Sequence, residues 1–289
     1  MVVPRPALKP PAVAIVARVS LWWSILQMCV AERVAYRGDF IIGTAMRFLP
    51  IVTQIFLWTA VFQSAGKGSF SGFTRNDVVA YYLLTMVARA FSSMPGLASG
   101  VARQIRDGEI KKFLIQPIDL IGFLLLARLG HKLVYYGVAI IPFTVVFFLC
   151  RSYFPPIPDG EIWAAFFISL VLSFLLGFFL ESTIGMIGFW FLEVNALLFV
   201  YMLFNFFFSG HMFPLDFLRD NLPGPIGELI YNLPLKYLAY QPAAIYLGKI
   251  PHAELWSGVG IQALWTLAFA VLCRVTMHRG FRRYSGYGG

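Results

Sequence analysis

Three ionisable residues, Arg47, Arg89 and Glu181, lie within long apolar stretches of the sequence. A charge placed in the hydrocarbon core of a membrane is costly, so such residues usually pair with one another or line a polar pathway. At a rise of about 1.5 Å per helical residue, all three fall near the same membrane face. Two interpretations follow: an internal ion pair or polar vestibule lining, or side chains that extend to the nearest lipid headgroups.

The sequence contains none of the motifs typical of a nucleotide-binding or catalytic protein. It has no GxxxxGK[ST] string, so no phosphate-binding loop is predicted. No two of its 4 histidines are spaced to share one helix face, and no GxSxG serine motif occurs. We therefore predict no catalytic residue, no metal site and no cofactor on this chain. An intramembrane enzyme whose site is assembled from distant helices is kept as an alternative.

The composition indicates that these residues lie in a lipid membrane rather than in water. Hydrophobic residues make up 59% of the chain and charged residues 13%, whereas soluble domains carry about 25% charged residues. Charge-free stretches long enough for a membrane helix of ~20 residues recur along the chain. The predicted fold class is an all-α polytopic membrane protein with six transmembrane helices, at about 40–62, 77–97, 133–150, 162–188, 195–213 and 255–273.

The positions of lysine and arginine predict how the six helices are oriented. An even number of spans places both termini on one side, and most basic residues outside the spans fall on that side. Because short cytoplasmic loops are enriched in Lys and Arg, we expect both termini to be cytoplasmic in the inner (plasma) membrane. The net charge of +9 then points to anionic membrane lipids as partners, and no nucleic acid is expected.

Two terminal regions flank the predicted six-span domain, which covers residues 39–275. Residues 1–38 are expected to form a cytoplasmic tail and an interfacial amphipathic helix, because apolar residues recur at helical spacing there. In that helix, Trp22 and Trp23 are expected at headgroup depth. Residues 276–289 are expected to form a basic cytoplasmic tail.

Two segments inside the six-span domain are predicted not to cross the membrane. The basic segment 103–117 has the length of one short cytoplasmic helix, ended by Pro117. The segment 214–254 is rich in proline, and its apolar pieces are too short to span. Because backbone that breaks at membrane depth must be covered by protein or a cavity, we expect short external re-entrant or surface helices there, before the last span.

Three short motifs occur in the order found in one transporter family. Segment 106–117, RDGEIKKFLIQP, resembles the ERExGTLExLLxTP-like signature of ABC-2 type permeases. Segment 209–214, SGHMFP, is similar to the SGxxxP element that follows span five in that family. Segment 233–237, LPLKY, resembles the family's proline-containing segment before span six. One position departs from the pattern, because the usual threonine after the glycine is Glu109.

The resemblance implies the permease subunit of an ATP-driven ABC exporter, which forms the translocation pathway. Such an exporter combines two permeases, identical or homologous, with two ATPase subunits that hold ATP and Mg²⁺ on separate chains. Segment 103–117 would be a coupling helix docked in an ATPase, with an apolar side that includes Ile105 and Phe113. Its expected contact residues are Arg103, Arg106, Gly108, Glu109, Lys112, Phe113, Leu114 and Pro117. The expected residues of an external gate are Ser209, Gly210, Pro214, Pro234 and Lys236.

The resemblance leaves the substrate open. A hydrophobic drug, peptide or lipid-like molecule is the expected substrate, and a polyprenyl-linked polysaccharide is the alternative within the family. A membrane scaffold that transports nothing, or an intramembrane enzyme, is the alternative from another class. Copurification of an ATPase with a phosphate-binding loop would decide against the scaffold and against the intramembrane enzyme.

Overall fold

The computed structural model describes residues 11–35, 37–66, 68–115, 118–191 and 193–284. It is 81% helical, which confirms the predicted all-α class. The described part also contains a small antiparallel hairpin of β1 (Ser69–Phe70) and β2 (Phe73–Thr74).

The helices follow one another with short connections. Those of the first half are α1 (Pro11–Ala35), α2 (Arg37–Ala65), α3 (Arg75–Ser92), α4 (Leu97–Arg106), α5 (Lys111–Ile115) and α6 (Leu120–Leu149). Those of the second half are α7 (Gly160–Met186), α8 (Asn195–Phe208), α9 (Leu215–Asn221), α10 (Gly224–Tyr231), α11 (Tyr240–Tyr246) and α12 (His252–Arg283). Short 3₁₀ turns lie at Arg151–Tyr153, Ile187–Phe189 and Pro234–Leu238.

Within the described residues, three helices are long and apolar enough to cross a membrane: α6, α7 with the turn that follows it, and α12. Helix α8 is apolar but has only 14 residues, or about 21 Å of helix against a hydrocarbon core of about 30 Å. Helix α2 has 29 residues, and α3 has 18. Short helices are present before the last span, as α9, α10 and α11.

Several predicted boundaries were wrong. The second span was placed at 77–97, but α3 ends at Ser92 because Pro95 and the left-handed Gly96 (φ 72°) interrupt the helix. The third span was placed at 133–150, but α6 begins at Leu120, where the Asp119 side chain caps the backbone N–H of Gly122 at 2.8 Å. The last helix, α12, continues through most of the predicted basic tail to Arg283, and Gly280 near its end lies directly against the Phe189 ring.

The N-terminal helix α1 packs on α6, a contact that the interfacial prediction did not include. The Trp22 ring and the Cys29 side chain lie where Cβ atoms on Gly122 and Gly130 would be 3.1 Å away from them. Trp23 is 59% exposed. The helix therefore has one face on protein and another that is free for lipid.

Helix α7 is the packing centre of the fold and contacts α3, α4, α11 and α12. Small residues recur along its buried face, at Ser169, Ser173, Gly177 and Gly185. Small side chains let helix backbones approach closely, which is the main source of helix association in lipid. Two buried apolar clusters flank this helix, an outer one around Tyr81 and Tyr240 and an inner one around Leu97, Phe113 and Phe178.

Candidate functional site

A cavity of about 960 Å³ lies among α2, α3, α4, α6, α7 and α8. Most of its wall is apolar and includes Ile51, Met86, Leu198, Met202 and Phe206. It extends from the break between α3 and α4 to the loop after α8, where His211 and Met212 line it. It therefore reaches from one end of these helices towards the other.

Two of the three charged residues singled out in the apolar stretches, Arg89 and Glu181, line this cavity. The Glu181 carboxylate lies within electrostatic reach of Arg89, Arg128 and Lys132, and the backbone of Met94 is its hydrogen-bond partner. Arg47 belongs to α2, but its side chain lies outside the described residues. The cavity thus combines an apolar wall with a charged region at the end where α3 stops.

Three donors from α6 hold the backbone where α3 ends. The Lys132 ammonium donates to the carbonyl of Ser93 at 2.7 Å and to that of Ala90, which also accepts from the Tyr136 hydroxyl at 3.1 Å. Arg128 donates to the carbonyl of Pro95 at 2.9 Å. A helix end leaves carbonyls unpaired and carries partial negative charge, so cationic donors stabilise it.

Sequence reasoning did not single out this cluster. Lys132 is 4% exposed, which no loop lysine would be. A signal was available: Arg128, Lys132 and Tyr136 are spaced four residues apart, which places them on one helix face.

The segment expected to be one helix over 103–117 is two helices with a turn between them. Helix α4 ends at Arg106, Gly108 adopts a left-handed conformation (φ 78°), and α5 begins at Lys111. Asp107, just after α4, accepts hydrogen bonds from Arg103 at 3.2 Å and Arg106 at 3.4 Å. Glycine at position 108 permits the turn, because a side chain there would be strained.

The apolar side chains of this segment face the interior of the chain. Ile105, Ile110 and Phe113 are buried, and the Phe113 ring lies 5.3 Å from the Phe123 ring. The expectation that Ile105 and Phe113 form an apolar contact surface for another protein was therefore wrong, because the inner cluster of this chain covers them. The side chain of Leu114 and all of Pro117 lie outside the described residues.

The exposed side of the same segment is charged. Arg103, Arg106, Glu109 and Lys112 are exposed, and the guanidiniums of Arg103 and Arg106 both form ion pairs with Asp107. A smaller cavity of about 340 Å³ lies beside them and is also lined by Glu193. This surface presents alternating charges around a polar recess.

On the opposite side of the cavity, the segment from Ser209 to Pro214 is fastened to α3 and α11. The hydroxyls of Tyr81 and Tyr82 donate to the carbonyls of Gly210 and Met212, and the backbone N–H of Tyr240 donates to the Ser209 carbonyl at 2.9 Å. Gly210 is left-handed (φ 79°), and a Cβ there would lie 2.6 Å from the Tyr240 side chain. Only glycine fits this position.

The short external helices form an aromatic and ionic cluster. Pro214 precedes α9, and Pro234 begins the 3₁₀ turn that carries Lys236. The Lys236 ammonium lies 4.3 Å from the Tyr231 ring centre and 5.0 Å from that of Tyr237. Burial lowers the pKa of Lys236 and raises the pKa of Asp216, which accepts a hydrogen bond from Tyr240 at 2.8 Å. Cation–π contacts of this kind offset part of the cost of burying the ammonium.

Comparison with known protein families gives the cavity and its neighbouring segments a family context. Residues 48–288 match the family model described as "ABC-2 family transporter protein". The chain belongs to the ABC-2 transporter family. No curated protein matches it in sequence. The matched range includes the cavity, the α4–α5 segment and helices α9, α10 and α11, so these are parts of an ABC-2 permease.

Family membership gives the chain a general role. An ABC-2 permease is the membrane subunit of an ABC transporter and associates with an ABC ATPase. With its long apolar helices, this permease is a multi-pass membrane protein. Among its described residues, no group of three His, Cys, Asp or Glu residues is arranged to hold a metal ion.

Proposed function

We propose that this permease is the membrane subunit of an ATP-driven exporter and that the 960 Å³ cavity is part of its translocation pathway. The observation that carries the proposal is the position of α4. The N-terminal part of this helix, at Ala98 and Ser99, lines the cavity, and its C-terminal part carries the exposed charges of Arg103 and Arg106. A partner that moves α4 would therefore move a wall of the cavity directly.

Helix α4 is attached to α7 through two glycines. A Cβ on Gly185 would be 2.7 Å from the Ala98 carbonyl, and one on Gly188 would be 3.1 Å from the Cα of Ala102. Backbones this close cannot slide past each other without losing their packing. We therefore infer that α4 and α7 move as one body when the ATPase acts.

In this proposal, the ATPase binds the exposed charges of the α4–α5 segment. Arg103, Arg106, Glu109 and Lys112 would fix the position of the ATPase, and Gly108 would shape the turn between the helices. The family's apolar docking side is replaced here by polar contacts, since Ile105 and Phe113 belong to the inner cluster. ATP and Mg²⁺ would be held by the ATPase subunits.

The test is a double charge reversal with a matched control. Arg103→Glu with Arg106→Glu should release the copurifying ATPase and abolish ATP-driven transport in vesicles, while the permease keeps its normal abundance. Arg282→Glu with Arg283→Glu reverses two exposed arginines at the end of α12. This control should leave ATPase copurification and ATP-driven transport unchanged. Full ATPase retention by the first variant, or equal loss of the ATPase from both variants, would contradict the proposal that the ATPase binds the α4–α5 segment.

The complete assembly is proposed to contain two permeases and two ATPase subunits. Helix α8 exposes large apolar side chains such as Phe199, Met202 and Phe204, and this surface suits lipid or a second permease. The segment from Ser209 to Lys236 would act as the external gate, because it lies at the cavity end opposite α4. Six spans and cytoplasmic termini in the inner membrane complete the proposed arrangement.

Sidedness has its own test. In a variant without native cysteines, single cysteines at Pro156 and Asn221 should react with an impermeant reagent added to intact cells, and one at Gly108 should not. Labelling of the Gly108 position from outside would reverse the proposed orientation.

The apolar wall of the cavity favours a hydrophobic drug, peptide or lipid-like substrate over a glycan. A polyprenyl-linked polysaccharide would be expected to meet mainly polar groups, whereas most of the wall surface here is apolar. The corresponding measurement is ATP-driven uptake of such molecules into inverted vesicles, which is equivalent to export from the cell.

A further inference from the structure

Three polar side-chain atoms are buried at the wall of the main cavity without a hydrogen-bond partner in the described part of the chain. They are Gln54 Oε1 on α2, Asn205 Oδ1 on α8 and His211 Nδ1 in the loop after α8. Leaving such an atom unpaired is unfavourable, because its hydrogen bonds to water are lost on burial. Three of them around one cavity suggest that its occupant supplies the missing partners.

The chemistry of these atoms specifies that partner. Amide oxygens of Gln54 and Asn205 only accept hydrogen bonds, and a neutral imidazole accepts at one of its two nitrogens. A ligand that satisfies the group must therefore carry hydrogen-bond donors. A ligand with acceptors alone would leave both amide oxygens unpaired.

Several other polar groups of the cavity have partners. The Tyr82 hydroxyl donates to the Met212 carbonyl and accepts from the Trp58 indole at 3.1 Å, and Thr85 donates to the Tyr82 carbonyl at 2.9 Å. Glu181 interacts with the cations around it. The three unpaired atoms themselves belong to neutral side chains, so the unmet demand is for hydrogen-bond donors rather than for charge.

The surroundings of the three atoms determine the rest of the ligand. Phe206 lies with its ring 5.5 Å from the His211 ring, and Ile51 and Met202 line the same cavity. Its volume of about 960 Å³ is at the upper end of the roughly 300–1,000 Å³ that is typical of small-molecule sites. One drug-sized molecule with an apolar body fits this description.

Building on the proposed function, we propose that the cavity selects an uncharged, lipophilic molecule with two or more hydroxyl groups, which donate to Gln54, Asn205 and His211. The apolar body of the molecule lies against the aliphatic and aromatic wall. Selectivity among lipophilic substrates then depends on their donors rather than on their charge.

The proposal can be tested on the purified full-length permease, without an ATPase, using two matched photoreactive probes. One is a benzophenone with a propane-1,2-diol side chain, and the other is the dimethyl ether of the same compound, which has no donor. The diol should cross-link peptides that contain Met86 or Met202 at least five times more efficiently than the ether. Asn205→Leu with Gln54→Leu should abolish that preference and leave only the weak cross-linking of the ether.

Control variants separate selectivity from folding. Thr53→Val and Phe204→Leu alter exposed neighbours of the two amides and should keep the diol preference. If the double variant is not monodisperse, the single variant His211→Phe is measured instead and should reduce the preference at least twofold. Equal cross-linking of both probes to the wild-type permease, as expected if water alone meets the three atoms, would overturn the proposal.

Persistence of the preference without Gln54 and Asn205, or cross-linking only at the exposed face of α8, would overturn it as well. Because the probes report binding without ATP, a negative result would leave ATP-driven export intact. Conversely, failure of the charge-reversal test would leave the cavity's selectivity unaffected.

Discussion

Helices α7 and α8 follow one another in the chain and are both strongly apolar, yet the fold uses them in opposite ways. Twelve residues of α7 are buried, and it contacts helices on several sides. Every residue of α8 over 195–208 keeps part of its surface exposed. In lipid, apolar side chains gain nothing by leaving their solvent, so composition alone does not decide which helix is central.

Small residues account for the difference. Helix α7 has Ser169, Ser173, Gly177 and Gly185 on one face, at spacings of four and eight residues, and neighbouring backbones enter the space beside them. Helix α8 has large Phe, Leu and Met residues at almost every position, so neighbours cannot approach it closely. One helix becomes a fixed centre, and the other becomes a cavity wall with an open outer face.

The largest effect is expected from filling the small-residue stripe of α7. A Cβ on Gly177 would collide with the Ser92 carbonyl, so Gly177→Leu should eliminate most of the folded permease, measured as the monodisperse fraction in size-exclusion chromatography. The matched change on α8, Ala196→Leu, adds the same side chain at an exposed position and should have little effect. Similar losses for both variants would show that the two helices are equivalent in packing.

A smaller effect is expected where α6 holds the end of α3. Lys132→Met leaves the carbonyls of Ala90 and Ser93 without their ammonium donor and should reduce stability by about 2–3 kcal/mol. The same substitution at the exposed Lys111 is the control. Thermal unfolding in detergent measures both. In a double-mutant cycle with Glu181→Gln, non-additive losses are expected, because the two side chains interact; strict additivity would remove Glu181 from this cluster.

The buried amides on α12 and α2 provide the next comparison. Gln262 bonds to Ser169 and Ser173 on α7 and to the Tyr237 carbonyl, at 2.8–3.2 Å. Gln262→Leu should therefore lower stability by about 1–3 kcal/mol, detected as a lower unfolding temperature. Gln54→Leu removes an unpartnered amide oxygen and should be neutral or stabilising. An equal decrease for both would mean that Gln54 is paired within the fold.

The smallest effect is expected at the surface pair between Asp119 and Arg274, which joins the start of α6 to α12. Their side chains are 33% and 53% exposed, and exposed ion pairs contribute about 0–1 kcal/mol. Arg274→Gln should change the unfolding temperature only slightly, and the change should shrink further as salt is raised. A loss as large as that of Lys132→Met would show that α12 depends on this pair.

Much of the fold could be predicted because membrane helices have strong sequence signals. Composition determined the all-α class, and the motifs around Gly108, Gly210 and Pro234 indicated the family that the match over residues 48–288 shows. Helix ends were predicted less well. The break at Ser92 and the early start of α6 at Leu120 depend on a proline, a left-handed glycine and a capping aspartate, which a hydropathy count does not register.

The candidate site was only partly visible in the sequence. Arg89 and Glu181 could be selected because charge in an apolar stretch is conspicuous. Gln54, Asn205 and His211 could not, since neutral polar residues are common in membrane helices and only the fold shows which of them lack a partner. Phe113 was assigned to the wrong surface, because amphipathicity does not say whether the partner of an apolar face lies in the same chain.

The sequence by itself determined that the protein lies in a membrane, that it is helical and which family it belongs to, because these depend on composition and on short local patterns. Tertiary structure decided which apolar helix became the packing centre, which backbone carbonyls accept hydrogen bonds from Lys132, and which polar atoms beside the cavity have no partner. Those outcomes depend on distances between segments far apart in the chain. In lipid such distances are set by close packing and hydrogen bonding, which act only once the helices have met.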